Sequence, residues 1–383
     1  MAGRDIAIIG IGIHPFGRVE GQTGMEQGVV AARQAMADAG VTWDKIQFAF
    51  GGSLDGGSPD TMVRFLGLTG IPFTNVVNAC ATGGSALFGA YTTINSGAWD
   101  LGIVIGFDKH PRGAFAVDVT QQGIGSWYGE TGLAINPQFF GMKINKYMHD
   151  YGISLDTLLK VAVKNFKNGA MNPNAWRKRA LTYEEIANSQ MVCYPLRQYM
   201  ICSPGQGAIA LVVCSAKEAR KYTTKPSYLR ADAFRTRRFG SFEVLSPSQP
   251  LRFTPGPTVE AAKAAFEMAG IGPEDIDIAQ LQDTEVGAEV MHMAETGLCK
   301  HGEQEALIQA GETEINGKLP VNTDGGIMAS GEPVGASGLR QIYEICLQLR
   351  GDAGQRQVPK PVKTGFTQVY GAPGVSCCTV LAK

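Results

Sequence analysis

The sequence predicts an α/β protein, a mostly parallel sheet with helices on its faces, assembled from two similar halves. Three observations carry this. The apolar run Phe73 to Val77 enters a turn at Cys80, and Leu87, Tyr91 and Ile94 leave it at helical spacing, which makes a strand, a sharp elbow and a helix. Late in the chain the device returns: Val321-Asn322-Thr323-Asp324-Gly325-Gly326, then Gly331 to Gly338, then a helical run through Leu339, Ile342, Ile345 and Leu349. Between and around these, short apolar runs alternate with helical patterns at βαβ spacing.

Taken in order, Asp5 to Ile13 is a buried strand running into His14-Pro15-Phe16-Gly17. Met25 to Ala39 is an amphipathic helix, closed by Gly40 as its C-terminal cap. Gln47 to Phe50 is a short strand, Leu54 to Asp60 a Gly/Ser/Pro loop, and Met62 to Leu68 a helix leading to the cysteine elbow. The elbow helix ends at Asn95-Ser96-Gly97, and Leu101 to Phe107 is the next strand. From Pro111 the pattern loosens until the strand Ala208 to Cys214, with helices near Phe139 to Tyr151 and Leu155 to Asn165.

The second half begins near Lys225, so the halves divide as 1–224 and 225–383. Pro257 to Ala269 is a helix capped by Gly270, and Ile276 to Leu281 is a strand ending in Gln282-Asp283-Thr284-Glu285. Val286 to Leu298 is a helix, Lys300 to Asn316 a polar excursion, and Gly351 to Lys360 a charged linker. Lys363 to Leu381 forms a pair of strands joined at Tyr370-Gly371-Ala372-Pro373-Gly374.

Composition narrows the function classes. With 383 residues and 44% hydrophobic residues the chain can bury a large core. A formal net charge of −1 argues against broad attraction to nucleic acid or anionic membrane. Eight cysteines without regular spacing, no signal peptide and no apolar run of bilayer length lead to a cytoplasmic expectation. The vicinal Cys377-Cys378 lies in an apolar strand and lacks zinc-site spacing, so core packing is expected and no metal site. The cluster Arg177-Lys178-Arg179 has the charge to meet a phosphate, but most such clusters are solvated surface, so it is not counted among the site residues.

A cysteine on a strand-to-helix elbow sits at the positive end of a helix dipole, where backbone N–H groups favour the thiolate. Cys80 is thus a candidate nucleophile, with a buried structural cysteine as the alternative. Four motifs now agree in order: Ala79-Cys80-Ala81, the Asn322 to Gly326 loop, Gly331-x-Pro333-x-Gly335-Ala336-x-Gly338, and the glycine-rich C-terminal strand pair. In this order the whole chain resembles the thiolase superfamily, nearest its sterol-carrier-protein-x type. The resemblance implies two duplicated βαβαβ halves forming a layered αβαβα sandwich. It also implies that an insertion at about 111–205 covers the site, making Phe115, Trp127, Tyr128, Phe139 and Phe140 candidates for substrate contacts beside their reading as ordinary packing.

The resemblance implies attack of Cys80 on the keto carbon of a 3-ketoacyl-CoA, with coenzyme A as co-substrate and no cofactor held by the chain. It places contacts to coenzyme A at Gly335, Ser337, Gly371 and Gly374. The sequence also departs from the family. Glu332 stands where relatives carry the histidine of Gly-His-Pro, Gln282-Asp283-Thr284-Glu285 matches the second motif, and Thr284 and Val369 occupy the positions of the acid/base cysteine. Glu332 is therefore a candidate proton carrier, with Glu285 and Tyr370 as weaker ones and Asn322 as a further site residue. A loop carboxylate bonded to backbone N–H groups is the structural alternative for Glu332.

Branches with these replacements imply bulky acyl groups, aromatic or steroid-derived, for instance cleavage of benzoylsuccinyl-CoA to benzoyl-CoA and succinyl-CoA. They also imply a homodimer with a small zinc-ribbon and OB-fold partner subunit. Two other readings stay open: a retro-aldolase on a β-hydroxyacyl-CoA, for which Cys80 is dispensable, and a non-catalytic scaffold subunit. A decarboxylating synthase would need histidines where Gln282 and Glu332 stand.

Overall fold

A computed structural model describes residues 5–116, 118–121, 123–241, 243 and 254–383. In chain order the elements are β1 (Ile6–Gly17), α1 (Gly24–Ala39), β2 (Phe48–Gly52), α2 (Val63–Leu66), β3 (Phe73–Val76), α3 (Thr82–Asn95) and β4 (Leu101–Lys109). The covering segment carries α4 (Ser126–Glu130), α5 (Asn136–Tyr151), α6 (Leu155–Ala170), α7 (Tyr183–Ala187) and the hairpin β5 (Met191–Cys193) with β6 (Leu196–Arg197). Then come β7 (Gln206–Ser215), β8 (Ser227–Thr236), α8 (Pro257–Ala269), β9 (Ile278–Leu281), α9 (Val286–Glu295) and α10 (Glu303–Gln309). The chain closes with α11 (Gly326–Ser330), α12 (Val334–Arg350), β10 (Thr364–Gly371) and β11 (Val375–Ala382).

Among the described residues nine strands form one sheet in the order β3-β2-β4-β7-β1-β8-β11-β10-β9. The order is a repeat read outward from a seam between β1 and β8, where Ile6, Ala7 and Ile8 pair with Leu229, Tyr228 and Ser227. In the second half the counterpart of β3 has shrunk to a single bridge between Ala279 and Val321.

Alternation along the strands sorts side chains into layers. Ala7 and Ile9 of β1 face α1, whereas Ile8 and Ile11 face a central layer in which Leu87 of α3 packs with Leu339 and Ile342 of α12. The second half contributes Leu229, Ile278 and Leu381 to that central layer and turns Ala231, Phe366 and Val380 toward Ala262 and Phe266 of α8. The order α1, strands, α3 with α12, strands, α8 is the expected αβαβα sandwich.

The sheet is mixed and not mostly parallel: β2 pairs in parallel with β3 and β4, and β9 with β10, while every ladder made by β7, β8 and β11 is antiparallel. The reason is local. The covering segment leaves from the end of β4 and returns at the same edge, where His110 N–H bonds to Gly205 O at 3.1 Å, so β7 has to run back along β4. β11 is turned back by the tight link after Gly371. Strand β8 is absent from the sequence expectation because Arg230, Asp232 and Arg235 interrupt its apolar pattern.

The central helices meet the sheet through glycine. A Cβ on Gly83 of α3 would lie 2.8 Å from Gly335 O, and a Cβ on Gly335 would lie 2.6 Å from Phe107 O of β4. Gly83→Ala is expected to lower unfolding stability by about 1–3 kcal/mol in a denaturant titration, as overpacked cores do. Gly17→Ala, whose new Cβ would meet nothing nearer than Trp176 at 3.8 Å, serves as the control and should stay within about 0.5 kcal/mol.

Candidate active site

The site forms where both halves bring their central helices to the sheet edge. On one side β3 ends, Ala79 takes φ +45°, and α3 begins two residues after Cys80. A left-handed backbone at a residue with a Cβ is a local strain of about 1–3 kcal/mol, of the kind found at functional turns. Here Asn78 N–H is held by Thr82 Oγ1 at 2.8 Å, and Ala81 N–H by Asn78 O at 3.1 Å. On the other side Gly331, at φ +75°, and Pro333 frame Glu332 at the start of α12. A third strand of chain, Ile201 to Gly205, laces the two together. Glu332 N–H donates to Ser203 O at 2.8 Å, Gly205 N–H to Glu332 O at 3.0 Å, and Cys202 N–H to Thr284 O at 2.9 Å.

Glu332 is fully buried and gathers the reactive groups. Cys202 Sγ donates to its Oε2 at 3.3 Å, Gln282 Nε2 to its Oε1 at 3.1 Å, and the Cys80 thiol also hydrogen-bonds to it. Burial lifts the Glu332 carboxyl above its ordinary range against the lowering pull of both thiols, His110 and Gln282. The thiols respond in turn. Burial and then the negative charge of Glu332 hold both Cys80 and Cys202 well above the usual thiol range. This corrects the expectation that the elbow favours a thiolate: a helix terminus contributes about 0.3–1 kcal/mol, less than one pKa unit, whereas burial moves a group by up to about 3–5 units.

Beneath these groups His110 directly follows β4. Its Nδ1 faces Asp55 Oδ2 at 2.7 Å, and Val334 N–H donates to Nε2 at 3.3 Å. Burial alone would lower His110, but the carboxylates of Asp108 and Asp55 outweigh it and hold the imidazole above its ordinary value. Asp108 accepts from Ser53 Oγ at 2.9 Å and from Gly335 N–H at 2.6 Å.

The other expected residues fall around this centre. Glu285 caps α9 and lines a cavity of about 170 Å³ beside Cys202, together with Thr284, Phe115 and Phe140. Phe139 and Tyr128 are buried in other clusters, and Trp127 is exposed. Asn322, at φ +54°, spends its side chain on structure, its Oδ1 accepting from Leu281 N–H at 2.9 Å and its Nδ2 donating to Glu289 at 2.8 Å. Gly371 packs against the elbow, where its Cβ would lie 2.7 Å from Ala81 N, while Gly374 sits over Glu243 and Arg237. Gly335 is the Asp108 contact, and Ser337 Oγ bonds within its helix to Pro333 O at 3.2 Å. Tyr370 turns to the far face of the sheet and donates to Glu243 at 2.6 Å. Arg177 braces the site from behind, donating to Met328 O at 2.6 Å and to Ser203 Oγ.

Sequence reasoning missed Cys202 and His110. Neither stands in a motif, and the strand order alone brings the end of β4 and the start of β7 together. Among the described residues no group of His, Cys, Asp and Glu has the arrangement of a metal site, and no helix is long and apolar enough to cross a membrane.

An elbow cysteine, a buried carboxyl and a second thiol thus meet within an αβαβα frame, the arrangement expected of an acyl-transferring enzyme. Comparison with known proteins agrees. Residues 244–383 match the family model "Thiolase C-terminal domain-like". An acetyl-CoA acetyltransferase of Methanothermobacter thermautotrophicus is 33% identical over 97% of each chain. The benzoylsuccinyl-CoA thiolase subunit BbsB of Thauera aromatica is 31% identical over 96% of this chain and 95% of its own. A solved structure titled Ltp2-ChsH2(DUF35) aldolase superposes with a TM-score of 0.88 at 25% identity, over 100% of this chain and 98% of that one. The chain belongs to the thiolase superfamily and is an acyltransferase of thiolase type.

Because the charge on Glu332 adds to the raised Cys80 thiol, removing it should make the thiol more acidic. Glu332→Gln is therefore expected to speed iodoacetamide alkylation of Cys80 at pH 8 several-fold, read by peptide mass spectrometry, even as turnover falls.

Proposed function

We propose that the protein cleaves a 3-ketoacyl-CoA with free coenzyme A through an acyl-enzyme on Cys80, and that Glu332 and Cys202 handle the protons. The single observation that carries this reading is the shared hydrogen bonding of both thiols to one buried carboxyl. Glu332, as carboxylate, takes the Cys80 proton while the sulfur bonds to the keto carbon. The bond from that carbon to the α-carbon breaks, and its electron pair stays with the departing CoA ester as an enolate. Cys202, held against Glu332, protonates the α-carbon and regains its proton from Glu332. In the second half-reaction the same pair deprotonates coenzyme A, whose sulfur takes the acyl group and releases Cys80. Cys202 thus fills the role left open at Thr284 and Val369. The N–H groups at the start of α3 and the Gln282 amide are the donors available to developing negative charge.

The acyl group we assign is bulky, aromatic or steroid-derived, with benzoylsuccinyl-CoA as the specific candidate. Phe115 and Phe140 in the cavity wall and the similarity to the benzoylsuccinyl-CoA thiolase subunit support it. The assembly we assign is a homodimer. Strand β3 is an edge strand, paired among the described residues with β2, and Leu68 and Val77 beside it are exposed. A small zinc-ribbon and OB-fold partner would cover the exposed Met191, Val192 and Tyr194 of the β5–β6 hairpin, which adjoins the cavity. Coenzyme A contacts at Gly335, Ser337, Gly371 and Gly374 belong to this proposal, as do the halves 1–224 and 225–383. So does a cytoplasmic location.

Similarity to the aldolase structure favours one second reading, retro-aldol cleavage of a β-hydroxyacyl-CoA. The two part on Cys80. Intact-protein mass spectrometry after mixing with 3-ketoacyl-CoAs is expected to reveal an acyl adduct on Cys80 that added coenzyme A removes. Absence of any adduct together with full turnover by Cys80→Ala would instead establish the aldolase.

Glu332 must be ionised to accept the thiol proton, and its pKa is raised. The acid limb of kcat/KM is therefore expected above the usual carboxylate range, with activity rising as pH rises through it. Glu332→Gln should abolish the limb and lower kcat by about 10²–10⁴-fold.

A further inference from the structure

The cavity beside Cys202 has walls from three parts of the chain: Phe115 and Phe140 from the covering segment, Ile201 and Cys202 from the lacing strand, and Thr284 and Glu285 from the turn into α9. Glu285 is 1% exposed. One carboxyl oxygen, Oε2, accepts from Gly287 N–H and caps the helix. The other, Oε1, is buried with no hydrogen-bond partner. Capping needs a single acceptor, which serine or asparagine supplies without burying a carboxyl. The second oxygen is therefore surplus to the fold, and a buried polar atom left unmade is a cost that a ligand can relieve.

We infer that Glu285 is a specificity-determining residue: its carboxyl hydrogen-bonds an acceptor oxygen carried by the acyl group, selecting 3-ketoacyl-CoA thioesters with a carboxylate or carbonyl beyond the reacting carbonyls. This rests on the thiolase reading and deepens it. The aromatic walls pack the carbon skeleton, and Glu285 reads the polar end. The electrostatics agree. Burial pushes Glu285 up to about 8, so at neutral pH it carries a proton and donates. Against burial work the Gly287 and Ala288 N–H groups of α9 and then the Lys143 ammonium on α5, while Asp283 on the preceding turn adds to the upward push. The Cys193 thiol of the β5–β6 hairpin faces it as well. A site built to hydrogen-bond a substrate group disfavours an analogue lacking that group, because its own polar atom then stays unpaired.

The test is equilibrium binding to Cys80→Ala protein, purified with any partner that accompanies it, since this variant forms no acyl-enzyme. Three six-carbon ligands are compared by calorimetry: 3-oxoadipyl-CoA with its carboxylate, 3,5-dioxohexanoyl-CoA with its extra carbonyl, and 3-oxohexanoyl-CoA with neither. At pH 7 at least one oxygen-bearing ligand is expected to bind tenfold or more tightly than the hydrocarbon, and which one does so identifies the group. Adding Glu285→Leu should bring the ratio to within twofold. Adding Glu285→Gln, which keeps the cap and donates from its amide, should preserve it. The preference should fade above about pH 8 with glutamate, as the donated proton is lost, and persist with glutamine. Equal binding of all three ligands, a preference that survives in the leucine protein, or a preference indifferent to pH with glutamate would overturn the inference. If the leucine protein does not fold, the pH comparison between glutamate and glutamine decides. Failure of the thiolase reading has a separate signature, the missing Cys80 adduct in the parent protein, which leaves these binding ratios untouched.

Discussion

The buried carboxylate of Asp108 is the interaction on which the site geometry depends. It sits at the end of β4 and accepts from the loop after β2, through Ser53, Leu54, Asp55 and Gly56, and from Gly335 at the head of α12. One side chain thus fixes the second half's helix to the first half's sheet, and Glu332 precedes that helix by one residue beyond its cap. The contacts and His110 hold Asp108 ionised, its carboxyl below the usual range although burial works against it. Five donors on one carboxylate are worth more than their separate values because the surrounding medium is poorly screening.

The same low polarity sets the chemical temperament of the centre. Burial favours the neutral forms of the two thiols and the carboxyl, against the lowering pull of His110 on Glu332. A histidine at the position of Glu332 would give a thiolate partnered by an imidazolium. In the mechanism proposed above, Glu332 instead accepts a proton from one thiol and returns one through the other, a duty for which its burial-raised carboxyl is suited.

How much of this was legible in the sequence follows the range of each signal. The elbow at Cys80 and the placement of Glu332 are local: small residues, a strand before and a helix after, repeated in the second half. Helices α1 and α8 were legible for the same reason, with Gly40 and Gly270 in the left-handed conformation their caps require. Cys202 and His110 had no local signal, since Cys202 lies before β7 and His110 just after β4, and their partners Glu332 and Val334 are 130 and 224 residues away in the chain. Strand β8 was hidden by Asp232, an acid buried in a strand, whose carboxyl burial holds well above its usual range and to which Thr379 donates at 3.2 Å. Asn322 illustrates the converse, a motif residue whose amide ties β9 to Glu289.

The covering segment, finally, hangs from two points that are already hydrogen-bonded to one another, at the close of β4 and the opening of β7. Its ends are therefore joined whatever lies between them, and the entropy of closing such an excursion grows only slowly with its length. The sheet beneath is indifferent to what is hung there. A fold of this design can exchange its canopy wholesale, keeping the sulfur chemistry below and acquiring a different appetite above, which makes the junction at 109–110 and 205–206 the natural place to graft one relative's selectivity onto another's catalytic floor.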